Sequence, residues 1–199
     1  MTNYKYSNIL TYMRKEIPLY KLASIKSGYS LRNPLENNIS PNVLWVQPNN
    51  VISQDFSNLP PITVKLAKNI TLLQEGDVLL TNRSNFKAAC FKNQGSMPAL
   101  ASAAVWIIRP YRQYLNPAFL TFWFNSAQGQ KALNNLVSEF TTLKFIRKED
   151  IQTLYIPVPP LAKQEQFAAL YTCYIKQKYL QDKKFNLQQK LLNALSAQI

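Results

Sequence analysis

Three closely spaced prolines, Pro157, Pro159 and Pro160, stand immediately before a tail, residues 161–199, that contains neither proline nor glycine. Proline lacks a backbone N–H and holds φ near about −65°, so neither a helix nor a central strand continues through this point. The apolar run before the prolines is typical of a strand, and the tail is rich in helix-forming residues. The sequence therefore predicts a compact body that is joined through a stiff hinge to a long helical arm.

The size and composition of the chain fit one body and one arm. With 199 residues, the chain is long enough for a single well-buried domain and an appendage, but short for two domains. A hydrophobic content of 47% with 12% aromatic residues is that of a folded protein. We therefore expect a domain over 1–160 and a separate helix over 161–199.

The chain is strongly basic, with 23 lysines and arginines against 10 acidic residues and a net charge of +13. The basic residues are interleaved with Tyr, Asn, Ser and Gln and do not form a charged tail. This pattern favours a polyanionic partner, because each phosphate contact releases counterions. Nucleic acid is therefore a better explanation of the charge than solubility alone.

Several kinds of chemistry lack the residues that they need. The chain has no histidine, which excludes Ser–His and Cys–His nucleophile pairs and histidine-bound metals. Its four glycines form no phosphate-binding loop. Asp77 is interpreted as a turn residue after Gly76, and Glu149 with Asp150 as a solvated pair at a helix start or turn. We therefore expect no catalytic site, no metal and no cofactor.

The two cysteines, Cys90 and Cys173, are far apart and lie in apolar surroundings, so we expect two buried thiols and no disulfide. No stretch approaches the roughly 20 apolar residues that cross a bilayer, and the N-terminus lacks a signal-peptide core. These features are typical of a cytoplasmic protein with no membrane partner.

Hydrophobic patterning predicts a body of short strands and packed helices. Strands are expected at 17–25 (with a turn of helix), 43–46, 62–66, 88–91 and 101–109, and helices at 3–16 and 118–137. Residues 72–81 form either a strand pair or a turn into a buried strand. The polar segment 82–87 follows that strand, and polar tips on rigid strands commonly carry recognition residues.

Four segments, in this order along the chain, resemble one protein family. They read SGYSLRN (27–33), EGDVLLTNRS (75–84), IIRP (107–110) and TTLKFIRKEDIQTLYIPVPPLAKQ (141–164). Together they resemble the DNA-specificity (S) subunit of Type I restriction-modification systems. Family members often have glycine where this chain has Ser84 and Phe140, so the resemblance does not imply the loop shapes at these two positions.

The resemblance implies an α+β target-recognition domain of short mixed strands and packed helices, followed by a long spacer helix that forms an antiparallel coiled-coil arm. It implies a non-catalytic subunit that recognises double-stranded DNA at a bipartite site and directs methyltransferase (modification) and restriction subunits to that site. It also implies that intact family members contain two such domains, each followed by its own helix. We therefore expect a half-size form that forms a homodimer or pairs with another S-type chain.

Base readout needs forked polar side chains on loops that a rigid scaffold holds, and three loops provide them. The candidates are Arg83, Asn85 and Lys87 on the strand tip, Tyr29, Ser30, Arg32 and Asn33 on the early loop, and Thr141, Thr142 and Lys144 before the closing strand. Arg83 and Asn85 suit guanine and adenine edges. Lys26, Lys92 and Lys144 are expected to contact phosphates.

The tail carries an apolar seam at spacings of three and four residues, a pattern that a lone exposed helix does not hold stably. The pattern passes through Leu170, Cys173, Gln177, Leu180, Lys184, Leu187, Leu191, Ala194 and Gln198, and the residues that form the seam are Leu170, Cys173, Leu180, Leu187 and Leu191. We expect these residues to form a dimerisation surface. Packing of the tail back onto its own domain is the weaker alternative.

A second hypothesis for the function belongs to another class of protein. The chain could be a defence-associated or regulatory protein that reuses the domain to bind a protein partner through its arm, with incidental affinity for DNA. An enzyme that acts on nucleic acid is disfavoured, because the expected catalytic clusters are missing from the sequence.

Overall fold

The computed structural model describes residues 16–31, 42–64, 70–93, 95, 97–137 and 144–196. The strands in this part of the chain are β1 (Glu16–Pro18), β2 (Ala23–Ser27), β3 (Asn42–Val46), β4 (Pro61–Thr63), β5 (Val78–Thr81), β6 (Ala88–Cys90), β7 (Ala99–Ala101), β8 (Val105–Pro110) and β9 (Tyr155–Pro157). The helices are α1 (Pro48–Ser53), α2 (Pro117–Asn125), α3 (Ala127–Asn135), α4 (Lys148–Thr153) and α5 (Leu161–Ser196), with a short 3-10 helix at Leu19–Lys21. The helix expected over 3–16 lies outside the described residues, except for Glu16, which begins β1.

The strands form three sheets. The largest has the order β2-β8-β5-β6, and every neighbouring pair is antiparallel. A second sheet has the order β4-β3-β7, in which β3 is antiparallel to β4 and parallel to β7. Strands β1 and β9 form a separate antiparallel pair beside the hinge. The body thus has the predicted α+β architecture of short mixed strands with packed helices.

The four-stranded sheet is buried on both faces. In β5, Val78 and Leu80 contribute to one core and Leu79 to the other, and in β8 Ile108 and Ile107 are divided in the same way. Helices α2, α3 and α4 complete the first core, and α1 with β7 completes the second. Burial of each such side chain contributes about 1.5–3 kcal/mol, so the central strands give the loops at their ends a rigid base.

Residues 72–81 form a turn into a buried strand and not a strand pair. Gly76 has φ 88°, a left-handed conformation that favours glycine. The Asp77 carboxylate accepts a hydrogen bond from Gln74 N at 2.8 Å, which confirms its predicted place in the turn. The same carboxylate is buried and forms an ion pair with Arg109 at 2.7 Å, a role that the sequence pattern does not indicate.

The single strand predicted over 101–109 is wrong. The chain instead forms β7 in one sheet and β8 in another, and Val105 N donates to Ser102 O at 2.9 Å to close the turn between them. An apolar run reports burial, but it carries no information on which neighbour each half pairs with.

The single helix predicted over 118–137 is wrong as well, because the backbone is extended at Ser126 (ψ 162°) and separates α2 from α3. The Ser126 hydroxyl accepts from Gly129 N at 3.2 Å and so caps the second helix. A Cβ at Gly129 would overlap the Trp123 carbonyl, so glycine permits the close approach of the two helices.

The prediction of two buried thiols is wrong for Cys173 and only partly correct for Cys90, which is half-buried. Cys90 lies in β6, and burial raises the pKa of its thiol to about 11. Cys173 is exposed on α5, between the partly buried Tyr171 and Ile175. In the part of the chain that the structure describes, no helix is long and apolar enough to cross a membrane.

Candidate nucleic-acid interface

Two of the predicted recognition loops leave the same end of the four-stranded sheet. Ser27, the last residue of β2, pairs with Trp106, and Thr81, the last residue of β5, pairs with Val105 at the start of β8. The loops that begin after Ser27 and Thr81 therefore emerge side by side. The turn from β7 into β8 lies at the same end.

The third predicted segment is held against the strand tip by main-chain hydrogen bonds. Ser84 N donates to Lys144 O at 2.9 Å, and Ile146 N donates to Asn82 O at 3.0 Å. Arg83 and Phe145 lie opposite each other in this antiparallel bridge. Described residues of all three loops thus lie at one end of the body. We call this end, with residues 26–31, 82–87 and 144–146, the loop end.

The strand tip is rigid at its base. Asn82 is buried, its backbone N–H donates to Ala104 O, and its side-chain amide donates to Ala103 O at 2.9 Å. The hydroxyl of Thr81 accepts from Lys87 N at 2.9 Å and closes the tip from the other side. Exposed side chains on the tip are therefore presented from a fixed backbone, as base readout requires.

The tip turns at a residue in the left-handed conformation. Ser84 has φ 59°, and it stands where glycine is common in the family that the sequence resembles. The serine therefore adopts the backbone conformation that glycine would favour. The second position of this kind, Phe140, lies outside the described residues.

The early loop is pinned to the sheet at Gly28 and at Tyr29, the first of its predicted contact residues. Tyr29 N donates to Ala101 O at 2.7 Å, and Gly28 N donates to Val105 O at 3.1 Å. A Cβ at Gly28 would overlap the Ala101 and Ser102 carbonyls, so only glycine fits this approach. Ser30 follows as an exposed residue, and Arg32 and Asn33 lie outside the described residues.

The charged candidates are divided between the two ends of the sheet. Lys26, Arg83, Lys87 and Lys144 belong to the loop end, and none of the four forms an ion pair within the described residues. Lys92 follows Cys90, which pairs with Val78 at the start of β5, so it lies at the opposite end. Thr141 and Thr142 lie outside the described residues.

Sequence reasoning missed one prominent residue of the loop end. Phe145 is 39% exposed, its ring centroid lies 5.7 Å from Arg83 Cζ, and it lies 6.5 Å from the Trp106 ring. Trp106 in turn donates from Nε1 to Ile146 O at 3.1 Å. In the sequence, Phe145 stands within the segment 141–164 and carries no recognition signal of its own. Only the bridge to Arg83 reveals its position.

Gln164 fixes the start of the arm to the body. Its side chain is fully buried, its Oε1 accepts from Asn116 N at 2.7 Å, and its Nε2 donates to Tyr114 O at 2.9 Å and to Pro159 O at 2.8 Å. One turn later, Phe167 stacks on Phe122 with ring centroids 5.6 Å apart. The direction of the arm is therefore set by specific contacts and not by the prolines alone.

A second contact links the arm to the strand that follows the tip. The Asn125 side chain accepts from Ala88 N at 3.0 Å and donates to Ala88 O at 2.7 Å. It also donates to the Tyr171 hydroxyl at 2.7 Å, and Gln54 donates to the same hydroxyl at 2.9 Å. Burial raises the pKa of the Tyr171 hydroxyl above its ordinary value.

The apolar seam of the arm faces away from the body. Leu170 is 70% exposed although its neighbour Ala168 is buried, and Leu180, Leu187 and Leu191 are exposed as well. Cys173, the remaining seam residue, is also exposed. Within the described residues, the tail therefore does not fold back onto its own domain, and the seam is open to a partner.

Comparisons with known proteins find similar folds among solved structures only. No protein-family model matches the chain, and no curated protein matches its sequence. A chain from a structure of "complex assembly and conformational transition of the type I R-M system" superposes with a TM-score of 0.60 at 19% identity, over 91% of this chain and 43% of that one.

Two further solved structures are similar. The HsdS subunit from Thermoanaerobacter tengcongensis matches with a TM-score of 0.53 at 19% identity, over 90% of this chain and 45% of that subunit. The Type-I restriction-modification system S subunit from M. genitalium matches with a TM-score of 0.55 at 13% identity, over 88% of this chain and 42% of that subunit. The chain spans less than half the length of these structures, and over that length it has the predicted fold of a single recognition-type domain with its long helix.

Proposed function

We propose that this chain is a non-catalytic DNA-specificity subunit of a Type I restriction-modification complex, and that its loop end binds double-stranded DNA sequence-specifically. One observation carries the proposal: three separate segments, with Ser30 on the first, Arg83 and Asn85 on the second and Lys144 on the third, converge on one end of a rigid sheet. The S-subunit fold supports the same function by analogy.

The residues of the loop end divide into two roles in this proposal. Arg83 and Asn85 contact base edges in the major groove, with Tyr29 and Ser30 beside them. Lys26, Lys87 and Lys144 contact phosphates and set the register on the duplex. Arg32, Asn33, Thr141 and Thr142 stay predicted contact residues that lie outside the described part of the chain. Lys92, at the opposite end, has no part in it.

The arm supplies the second half of the proposal. Its 36 helical residues extend roughly 54 Å at about 1.5 Å per residue. Pairing with a second arm in antiparallel orientation, from a copy of this chain or from another S-type chain, covers the exposed seam. Such a pair holds two recognition domains more than one DNA turn apart and implies a bipartite target. Methyltransferase and restriction subunits are the expected protein partners.

Binding to duplex DNA at several salt concentrations tests this function. We expect the affinity to fall steeply with salt and to retain a preference for one sequence among randomised duplexes, because phosphate contacts and base contacts both contribute. Lys144→Gln should reduce the salt slope by about one unit for all sequences, because it removes one phosphate contact. Lys21→Gln, a matched change at the opposite end of β2, should not. A slope near zero for the unaltered protein would contradict the proposal.

The exposed seam also favours the second hypothesis, a module that binds a protein partner through its arm. The two functions differ in what the loop end does. If the second hypothesis holds, changes at Arg83 and Lys144 leave binding of the partner unaltered and no sequence is selected from random DNA. Selection of one sequence by the full chain excludes it as the principal function.

A further inference from the structure

We infer that Arg83 and Phe145 form one reading unit, which recognises a guanine and the thymine of the neighbouring base pair in the major groove. The inference rests on the proposed function and names the feature of the target that this part of the loop end selects. Phe145 enters here as a specificity-determining residue that the sequence pattern does not mark.

The backbone holds the two side chains together. Arg83 and Phe145 are opposite one another in an antiparallel bridge, and hydrogen bonds at Ser84 and Ile146 flank them on both sides. Opposed side chains in such a bridge lie on the same face of the two strands. The pair therefore approaches DNA as one unit and not as two independent loop residues.

The contact with the ring positions the arginine for guanine. The Arg83 guanidinium carbon lies 5.7 Å from the Phe145 ring centroid, within the range of a cation–π contact. The guanidinium has five N–H donors in a planar fork, and a contact with an aromatic ring occupies none of them as a conventional hydrogen bond. The donors thus stay free to contact the guanine O6 and N7 atoms, and the ring restricts the rotamers that would be lost on binding.

The exposed part of the Phe145 ring needs an apolar partner. The ring is 39% exposed although Trp106 covers one side of it. In the major groove the apolar group available to it is the thymine methyl. Base pairs are stacked about 3.4 Å apart. Because the bridge makes Arg83 and Phe145 direct neighbours, we assign them to adjacent base pairs, a thymine–guanine step.

Selection from randomised duplexes tests the pairing of the two residues. The full chain and its Arg83→Ala, Phe145→Ala and Phe145→Leu variants are compared, with Arg112→Ala and Tyr155→Ala as controls away from the loop end. We expect Arg83→Ala to lose the preference at one guanine and Phe145→Ala to lose it at the adjacent thymine. Phe145→Leu, which keeps an apolar contact, should retain part of the thymine preference. Loss at positions that are not adjacent overturns the inference.

Base analogues test the same contacts with the unaltered protein, so that no variant has to fold. Deoxyuridine in place of the thymine removes only the methyl group, and 7-deazaguanine removes only N7. Each should weaken binding about tenfold, which is a typical value for one base contact. Phe145→Ala should no longer distinguish thymine from deoxyuridine. Equal binding of the thymine and deoxyuridine duplexes by the unaltered protein rejects the role of the ring.

The outcomes separate this inference from the function on which it rests. If the unaltered protein selects no sequence, the proposed function and the reading unit both fail. If it selects a sequence that the Arg83 and Phe145 variants also select, the function stands and the reading unit fails.

Discussion

At the scale of single residues, the loop end depends on a serine in an unusual conformation. Ser84 has φ 59°, and a non-glycine residue there costs on the order of 1 kcal/mol. Its backbone N–H nevertheless bonds Lys144 O, so the conformation joins the tip to the third segment. The strain is therefore located at the point where two candidate recognition loops meet.

Substitution of Ser84 should reveal this strain. Ser84→Gly relieves it but adds freedom to the unfolded chain, so we expect the free energy of unfolding to stay equal or rise by up to about 1 kcal/mol. Ser84→Val should lower it by about 1–2 kcal/mol, because a branched side chain tolerates positive φ poorly. Denaturant unfolding measures both. Ser30→Val, an exposed serine without positive φ, is the matched control and should change little.

The two thiols should differ in reactivity and in their effect on stability. Cys173 is exposed and should react with a thiol reagent at pH 8, whereas burial of Cys90 raises its pKa to about 11 and should protect it. The folded state holds the proton of the Cys90 thiol more tightly than the unfolded state does. The protonated thiol therefore contributes to the free energy of unfolding in full below about pH 9, and this contribution is lost as the pH rises towards 11. Mass spectrometry after labelling checks the first point. Rapid labelling of both thiols in the folded chain would contradict it.

At the scale of elements, the arm is set by its first turns. Gln164 offers one acceptor and two donors, and all three are used by backbone groups of the body and the hinge. Three backbone groups, one in a buried bond and two in partly buried bonds, would lose their partner together if this amide were removed.

Gln164→Ala should therefore lower the free energy of unfolding by about 2–4 kcal/mol. Gln166→Ala, two residues later and exposed, should stay within about 0.5 kcal/mol of the unaltered chain. Chemical denaturation of the two variants provides the comparison. Equal stability would mean that the prolines and Phe167 hold the arm without the amide.

The sequence predicted elements best where a local signal defines them. The prolines located the start of α5, and Gly76 located the turn into β5. The strand over 101–109 and the helix over 118–137 were each divided in two. Ser102 N bonds the distant Val46 O, whereas Ser126 interrupts the helix through a local cap that a continuous apolar pattern does not show. The partnership of Phe145 with Arg83 depends on the same kind of long-range pairing and is equally invisible in the sequence.

At the scale of the whole molecule, the exposed seam should control assembly. The double change Leu180→Lys and Leu187→Lys places charges on the proposed pairing surface, and we expect it to shift the chain to monomers. Tyr179→Lys is the matched control, because Tyr179 is equally exposed but lies about 100° around the helix from Leu180. Sedimentation velocity distinguishes monomers from pairs. Pairs that persist in the double variant would place the contact elsewhere.

The hydrogen bonds of Asn125 connect the arm to the strand that follows the tip of the loop end. One amide connects the arm at Tyr171 with Ala88, the first residue of the strand that follows the tip. If DNA displaces the tip through this connection and thereby favours arm pairing by some factor, pairing must favour DNA binding by the same factor, since coupling free energies are reciprocal. The affinity for the target DNA would then depend on the concentration of the subunit. An unpaired chain would bind even its own half of the site more weakly than a paired chain does.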